Sequence, residues 1–258
     1  MLKYVVVSSG SSGNCYVFYD GKDSIAIDYG ITTKRFCQAL EQHHIPIESV
    51  RAVFLTHLHP DHASSSLKVL QKKVPIGIYL NSFAAKREHR AFVSLDLKTD
   101  DVRLFSVGEK LVEGGFEVVA TDANHDSKGC VSYMVSSGGH RASLITDTGY
   151  FTDEMIGFAQ ESDLLFLESD YDDRMLDDGD YSYELKRRIR SDFGHLSNEQ
   201  AKRFLLKLGR NPDRDVYLIH LSENNNTPER AEKCASEALP LNRSIHAICH
   251  GGGACGEI

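Results

Sequence analysis

The stretch Thr56-His57-Leu58-His59-Pro60-Asp61-His62 places four potential metal ligands within six residues, directly after the apolar run Ala52-Val53-Phe54-Leu55. A strand that ends in H-x-H-x-D-H delivers imidazoles and a carboxylate to one small volume, the donor mix that holds two adjacent divalent ions. Such a pair of ions needs further ligands from distant loops, each held at a strand end so that the sheet fixes its position. The motif therefore demands a fold in which several strand ends converge. A polar, His-rich turn without metal would carry the same letters, but it would require neither the strand in front nor partners elsewhere.

The rest of the chain supplies the strands. Runs of β-branched or aromatic residues at 4–8, 15–19 and 24–28, separated by Gly-rich or Asp-Gly turns, read as three strands with tight connections. A helix capped by Thr32 or Thr33 runs through Phe36, Ala39 and Leu40 to His43. The motif-bearing strand at 52–55 is followed by a helix at 65–73 and a strand at 76–80. Strands are expected again at 102–105, 116–120, 131–135 and 142–146, and a helix after Thr152 leads to a strand at 164–167, so that this half repeats the first in outline. The last third holds a charged helical stretch at 183–190, a helix at 198–208, a strand at 216–219, a helix at 228–239 and a strand near 244–248. No Pro- or Ser-rich linker and no solenoid period interrupts this order. The pattern fits an α/β (α+β) arrangement, two mixed β-sheets face to face with helices on both outer sides, in one domain over 1–258.

Three further candidates stand at strand ends. His125 follows the strand at 116–120, Asp147 ends the strand at 142–146, and His220 ends the strand at 216–219. Singly, each is an ordinary turn or cap residue; in the order H-x-H-x-D-H, His, Asp, His they become specific.

Composition narrows the class. The apolar run at the start, 1–7, is too short for a signal peptide or a spanning helix and meets Ser8-Ser9-Gly10 at once, so a cytoplasmic protein with no membrane partner is expected. Six cysteines without a framework spacing read as reduced thiols; Cys249 and Cys255 flank His250 and three glycines, which reads as a mobile tail. A formal charge of −8 argues against wholesale attraction to nucleic acid. Metal-ligating carboxylates are among the acidic residues, however, and two bound ions would reverse the potential inside the cleft.

With these ligands in this order, the chain resembles the metallo-β-lactamase superfamily over nearly its whole length. The resemblance implies an αββα sandwich of two similar halves with the site at the sheet edge between them. By carry-over, one ion takes His57, His59 and His125, the other Asp61, His62 and His220, and Asp147 bridges. A bridging hydroxide would then be the nucleophile. The superfamily hydrolyses lactams, thioesters, lactones and phosphodiesters, so fold and metals alone leave the substrate open. An aspartate at 147, where true β-lactamases generally use a cysteine, speaks against a lactamase.

Glu168, after the strand at 164–167, and His195, in Gly194-His195-Leu196-Ser197, resemble a pair of the nuclease branch that includes tRNase Z, in which the histidine protonates the leaving oxygen and the carboxylate orients it. His195, Glu168 and Asp61 are thus the candidate catalytic residues. His195 also precedes a helix N-cap, and a capping turn would explain it without catalysis. Four segments together are similar to the YycJ/WalJ-type bacterial metallohydrolases: Ser9-Gly10-Ser11-Ser12-Gly13-Asn14, Ile145-Thr146-Asp147-Thr148-Gly149-Tyr150, Lys186-Arg187-Arg188-Ile189 and Gly194-His195-Leu196-Ser197-Asn198-Glu199. One departure is Glu168-Ser169-Asp170-Tyr171, where that family has Asn and His after the serine.

The resemblance implies a 5′-to-3′ DNA exonuclease acting on nucleic-acid ends, with two divalent ions of zinc, manganese or iron. Ser11 and Asn14, in a Gly/Ser loop able to cradle a phosphate, and Lys186, Arg187 and Arg188 are the candidate substrate contacts. A hairpin turn and a solvated helix face would use the same residues. A small-molecule hydrolase of the same fold, a cyclic phosphodiesterase or a glyoxalase-II-like thioesterase, is the alternative, and a metal-bound scaffold without turnover is the third class.

Overall fold

The computed structural model describes residues 1–258 apart from 210, 212 and 239–244. Its first half runs β1 (Lys3–Ser8), β2 (Cys15–Tyr19), β3 (Ser24–Ile27), α1 (Thr33–Gln42), β4 (Val50–Phe54), α2 (Leu67–Lys73), β5 (Gly77–Asn81), α3 (Ser82–Arg87), α4 (His89–Ser94) and β6 (Val102–Phe105). The second runs β7 (Lys110–Glu113), β8 (Phe116–Asp122), β9 (Val131–Ser137), β10 (His140–Ile145), α5 (Asp153–Gln160), β11 (Leu164–Glu168), α6 (Asp173–Asp178), α7 (Tyr183–Ile189), α8 (Asn198–Leu208), β12 (Asp215–Ile219), α9 (Pro228–Ser236), β13 (Ile245–Ala247) and β14 (Ala254–Glu257).

Alternation along the strands decides the layers. Tyr4 and Val6 of β1, Tyr16 and Phe18 of β2, Phe54 of β4 and Phe166 of β11 are buried in one central cluster. Their neighbours Val5, Val17 and Val53 are buried in a second cluster with Phe36 and Leu40 of α1 and Leu70 of α2. Leu165 and Leu167 of β11 join Met155 of α5, Phe204 of α8 and Ala231 of α9 in a third. Successive side chains point to opposite faces, so strands that are apolar at every position need cover on both sides. The result is helix, sheet, sheet, helix, the four layers expected. Each fully buried ring of the central cluster contributes about 1.5–3 kcal/mol.

The sheets have the orders β14-β1-β2-β3-β4-β5-β6 and β13-β12-β11-β10-β9-β8-β7. Three antiparallel pairs, β14-β1-β2-β3 in one sheet and β7-β8-β9-β10 in the other, are continued by three parallel ones, through β4-β5-β6 and β11-β12-β13. The repeat seen in outline in the sequence is thus a repeat of strand pairing in which β3 corresponds to β10 and β4 to β11. Strands β1, β3, β4, β8, β10, β11 and β12 all run the same way within their sheets, and the residues of interest follow their C-terminal ends.

The C-terminal segment departs from expectation. It is no mobile tail: β14 pairs antiparallel with β1, with Lys3 opposite Glu257 and Val6 opposite Ala254, and so covers what would be an open edge. Gly253 lies so close to the Val6 carbonyl that a Cβ would meet it at 2.3 Å. The six cysteines are free, as expected. No helix among the described residues is long and apolar enough to cross a membrane. The ends of the helix expected at 228–239 and of the strand expected near 244–248 lie partly outside the described residues.

Candidate metal centre

The loop after β4 is folded back by main-chain bonds, His62 N and Ala63 N both donating to His59 O, so that His57, His59, Asp61 and His62 turn toward one point. Asn14 N donates to Asp61 O and Tyr29 N to His62 O, fastening that loop to the start of β2 and the end of β3. Across the gap, the second sheet contributes His125, Asp147, Glu168 and His220. Asp28, Asp147 and His220 all have left-handed backbones, with φ of 60°, 52° and 57°. For residues with a Cβ this costs roughly 1–3 kcal/mol each, a strain that clusters where side chains must be aimed.

Four sets of donors come within ligand distance of one another: His57, His59 and His125; Asp61, His62 and His220; His57, His62 and Asp147; and Asp147, Glu168, His195 and His220. The first two are the sets carried over from the resemblance, and Asp147 lies between them. The separations fit ions rather than hydrogen bonds. His62 Nε2 is 3.4 Å from Asp61 Oδ2 and 3.3 Å from Asp147 Oδ2, and His220 Nε2 is 3.5 Å from Asp147 Oδ1. Two donors about 2.1 Å from a shared tetrahedral ion stand about 3.4 Å apart.

The imidazoles are also set in the right tautomer. His62 donates from Nδ1 to Asp28 Oδ2 at 2.7 Å and His125 from Nδ1 to the Gly194 carbonyl at 3.1 Å. The Thr56 hydroxyl donates to Asp28, so at 3.0 Å from His57 Nδ1 it accepts. His57 and His125 thereby keep an Nε2 lone pair for the centre, as metal-bound histidines do, while His62 Nε2 faces the Asn14 amide at 2.9 Å. His57 Nε2 and both His220 nitrogens are buried with no hydrogen-bond partner, an expensive state that a cation would relieve. Electrostatics agree. Burial disfavours the Asp61 and Asp147 carboxylates as anions, yet the surrounding histidines, His62 for Asp61 and His220 foremost for Asp147, hold both below the usual carboxylate range. In return the carboxylates outweigh burial at His62 and His220, whose proton affinities are raised. The pocket is built for positive charge, and the donor set fits divalent ions.

Beside the cluster, His195 Nδ1 donates to Glu168 Oε1 at 2.7 Å, and Glu168 Oε2 accepts from Thr148 N at 2.9 Å. Burial pulls the His195 imidazole toward neutrality, but Asp170, Glu168 and Asp147 overcome it and push its pKa up to about 10.

The expected substrate residues fare unevenly. Ser11 is exposed at the tip of the loop after β1. Asn14 is a correction: it is wholly buried, its amide donating to Gly10 O, Asp61 O and His62 Nε2 while Gly10 N donates to its Oδ1. It braces the loop and the histidine instead of offering a free donor. On α7, Lys186 donates to Asp177 O, and Lys186 and Arg187 line a groove of about 470 Å³ with Tyr181 and Tyr183. Arg188 turns to the centre through Asp126, its Nε 2.6 Å from Asp126 Oδ2.

Sequence reasoning missed Asp28 and Asp126. A signal for Asp28 existed: β3 and β10 are equivalent strands, and Ile25-Ala26-Ile27-Asp28 and Leu144-Ile145-Thr146-Asp147 both end in an aspartate.

Residues 25–221 match the family described as the beta-lactamase superfamily domain. The chain is 32% identical over 240 residues to an exodeoxyribonuclease YycJ of Bacillus anthracis, covering 92% of this chain and 89% of that protein. It is 30% identical over 229 residues to an exodeoxyribonuclease WalJ of Streptococcus pneumoniae, covering 89% and 85%. Its fold superposes on the crystal structure of the metallo-beta-lactamase fold protein YhfI from Bacillus subtilis with a TM-score of 0.74 at 20% identity, over 100% of both chains.

Proposed function

The chain belongs to the metallo-β-lactamase superfamily of metal-dependent hydrolases, and we propose that it is a dinuclear phosphodiesterase that removes nucleotides from the 5′ end of DNA. The observation that carries this reading is the His195–Glu168 pair, set against the ligand cluster at Asp147 and His220. Two divalent ions, held by His57, His59 and His125 and by Asp61, His62 and His220 with Asp147 shared, would supply Lewis acidity and a water of lowered pKa.

The chain's own residues do the rest. Cleaving a phosphodiester expels an alkoxide, which leaves readily only when it is protonated as it departs. The carboxylates around His195 raise its affinity for a proton, and its Nδ1 is committed to Glu168, so in this reading Nε2 is the atom that gives up a proton. Glu168, fixed by Thr148 N, keeps the ring in that orientation and balances its charge. Arg188 and the groove beyond it, with Lys186, Arg187 and the exposed Tyr183, offer a path for the strand, cations for phosphates and aromatic rings for bases.

A second reading has one observation in its favour: Arg188 and Arg190 are already paired, with Asp126 and Asp177, so few cations are free for a phosphate backbone. A small-molecule phosphodiester or thioester needs fewer. A panel of 5′-phosphorylated and 5′-hydroxyl single and double strands, run with manganese beside cyclic-nucleotide and thioester substrates, decides between them; turnover of the small molecules alone would sink the nuclease. His195→Ala should keep its bound metal while turnover falls by about 10²–10⁴-fold. Loss of metal in that variant would make His195 a ligand.

A further inference from the structure

Asp126 directly follows the candidate ligand His125 and has no part in the sets above. Its Oδ1 lies 3.4 Å from His59 Nε2 and 3.3 Å from His125 Nε2. These are the separations found between the candidate ligands themselves, so this oxygen and the two histidines can reach one ion. Oδ1 is buried and has no hydrogen-bond partner, although the side chain as a whole is partly exposed. The other oxygen is fully engaged: Arg188 reaches Oδ2 with Nε at 2.6 Å and with a terminal nitrogen at 2.5 Å. One carboxylate thus points a bare oxygen at the two histidines and gives the other to a guanidinium.

We infer that Asp126 is an additional protein ligand to the ion at His57, His59 and His125, closing its solvent side, and that Arg188 sets how strongly that oxygen is donated. The inference rests on the dinuclear reading above. An arginine on the far oxygen draws electron density from the carboxylate and adds a positive charge close to the ion, so it weakens the ligand it also positions. A phosphate that took Arg188 for itself would therefore tighten the grip of Asp126 on the ion, coupling substrate arrival to metal affinity. That coupling runs both ways, since a binding free energy shared between two sites is reciprocal.

The test is titration of the chelated, reloadable full chain with Mn²⁺, followed by calorimetry and by the electron paramagnetic resonance signal of free Mn²⁺. Asp126→Asn should weaken one of two Mn²⁺ sites by about tenfold or more and leave the other within twofold. Arg188→Ala should move the same site the opposite way, toward tighter binding, which a merely structural arginine would not do. Asp122→Asn, an equal loss of charge on an exposed carboxylate in the same stretch, is the control and should change neither site. Melting of each ion-free variant shows that the fold is intact. Unchanged Mn²⁺ affinities in Asp126→Asn overturn the ligand assignment, and weaker binding in Arg188→Ala overturns the role of the arginine. If the unaltered chain takes up no pair of ions, the dinuclear reading itself fails and this inference with it.

Discussion

Gly30 sits where a methyl group has no room: a Cβ there would lie 1.7 Å from the Asp61 carbonyl oxygen and 2.9 Å from Asn14 N. Its φ is not in the left-handed region, so the demand is for space alone, and the space is what lets the end of β3 lie against the ligand loop. Gly30→Ala should therefore push Asp61 out of line, with metal content falling to one ion or fewer while most of the secondary structure persists, as metal analysis beside circular dichroism would show. At this scale, the candidate ligands were legible because H-x-H-x-D-H is dense and because His125, Asp147 and His220 each end an apolar run. Asp28 was not, since it touches no substrate position and acts only by holding His62 and Thr56. Asn14 was misread for the opposite reason. A Gly/Ser loop advertises donors, and nothing in its letters says that the amide is spent on Gly10, Asp61 and His62.

Helix α8 shows how an element can serve the centre without entering it. Ser197 accepts from Gln200 N and donates its own N–H to Gln200 Oε1, a reciprocal capping box, and Gln200 Nε2 goes on to Gly149 O in the loop that carries Asp147. The cap thus fixes both the segment that presents His195 and the loop that presents Asp147. Ser197→Ala should cost about 1 kcal/mol in urea unfolding. Because His195 is two residues away, kcat should fall in that variant with little change in bound metal. Strong periodicity and caps made such elements legible: the strands at 15–19 and 102–105 and the helix at 198–208 stand where the sequence put them. What escaped was short or weakly patterned. Helices α3, α4 and α6 have six residues each, too few for a helical period to emerge. Strand β14, Ala254-Cys255-Gly256-Glu257, has neither β-branched nor aromatic residues and owes its conformation to pairing with β1.

The molecule as a whole is two similar sheets whose ends meet at the centre, one giving His57, His59, Asp61 and His62, the other His125, Asp147 and His220. Ions held there would tie the halves together, and an ion without affinity for the unfolded chain adds about 2.7 kcal/mol when present at a hundred times its dissociation constant. The pH dependence of that gain has a definite sign. Without ions, the raised proton affinities of His62 and His220 favour the folded state below the ordinary histidine value, a contribution lost as pH rises through the folded values. Ions need those rings unprotonated. The gap in melting temperature between loaded and chelated protein should therefore widen from about pH 6 to about pH 8, as scanning calorimetry would record; a constant gap would mean that neither ring gives up a proton to the ions.

The proposed centre is also late to form. The His220 main-chain N–H is fastened to Ser9 Oγ, 211 positions away, and β1 gains its outer partner only from β14. A chain still on the ribosome can display the first histidines, but it has no second half to face them and no His195–Glu168 pair beside them. The proposed nuclease would thereby be inert while it is being made beside nucleic acid, its chemistry withheld by the order in which the sequence is read out.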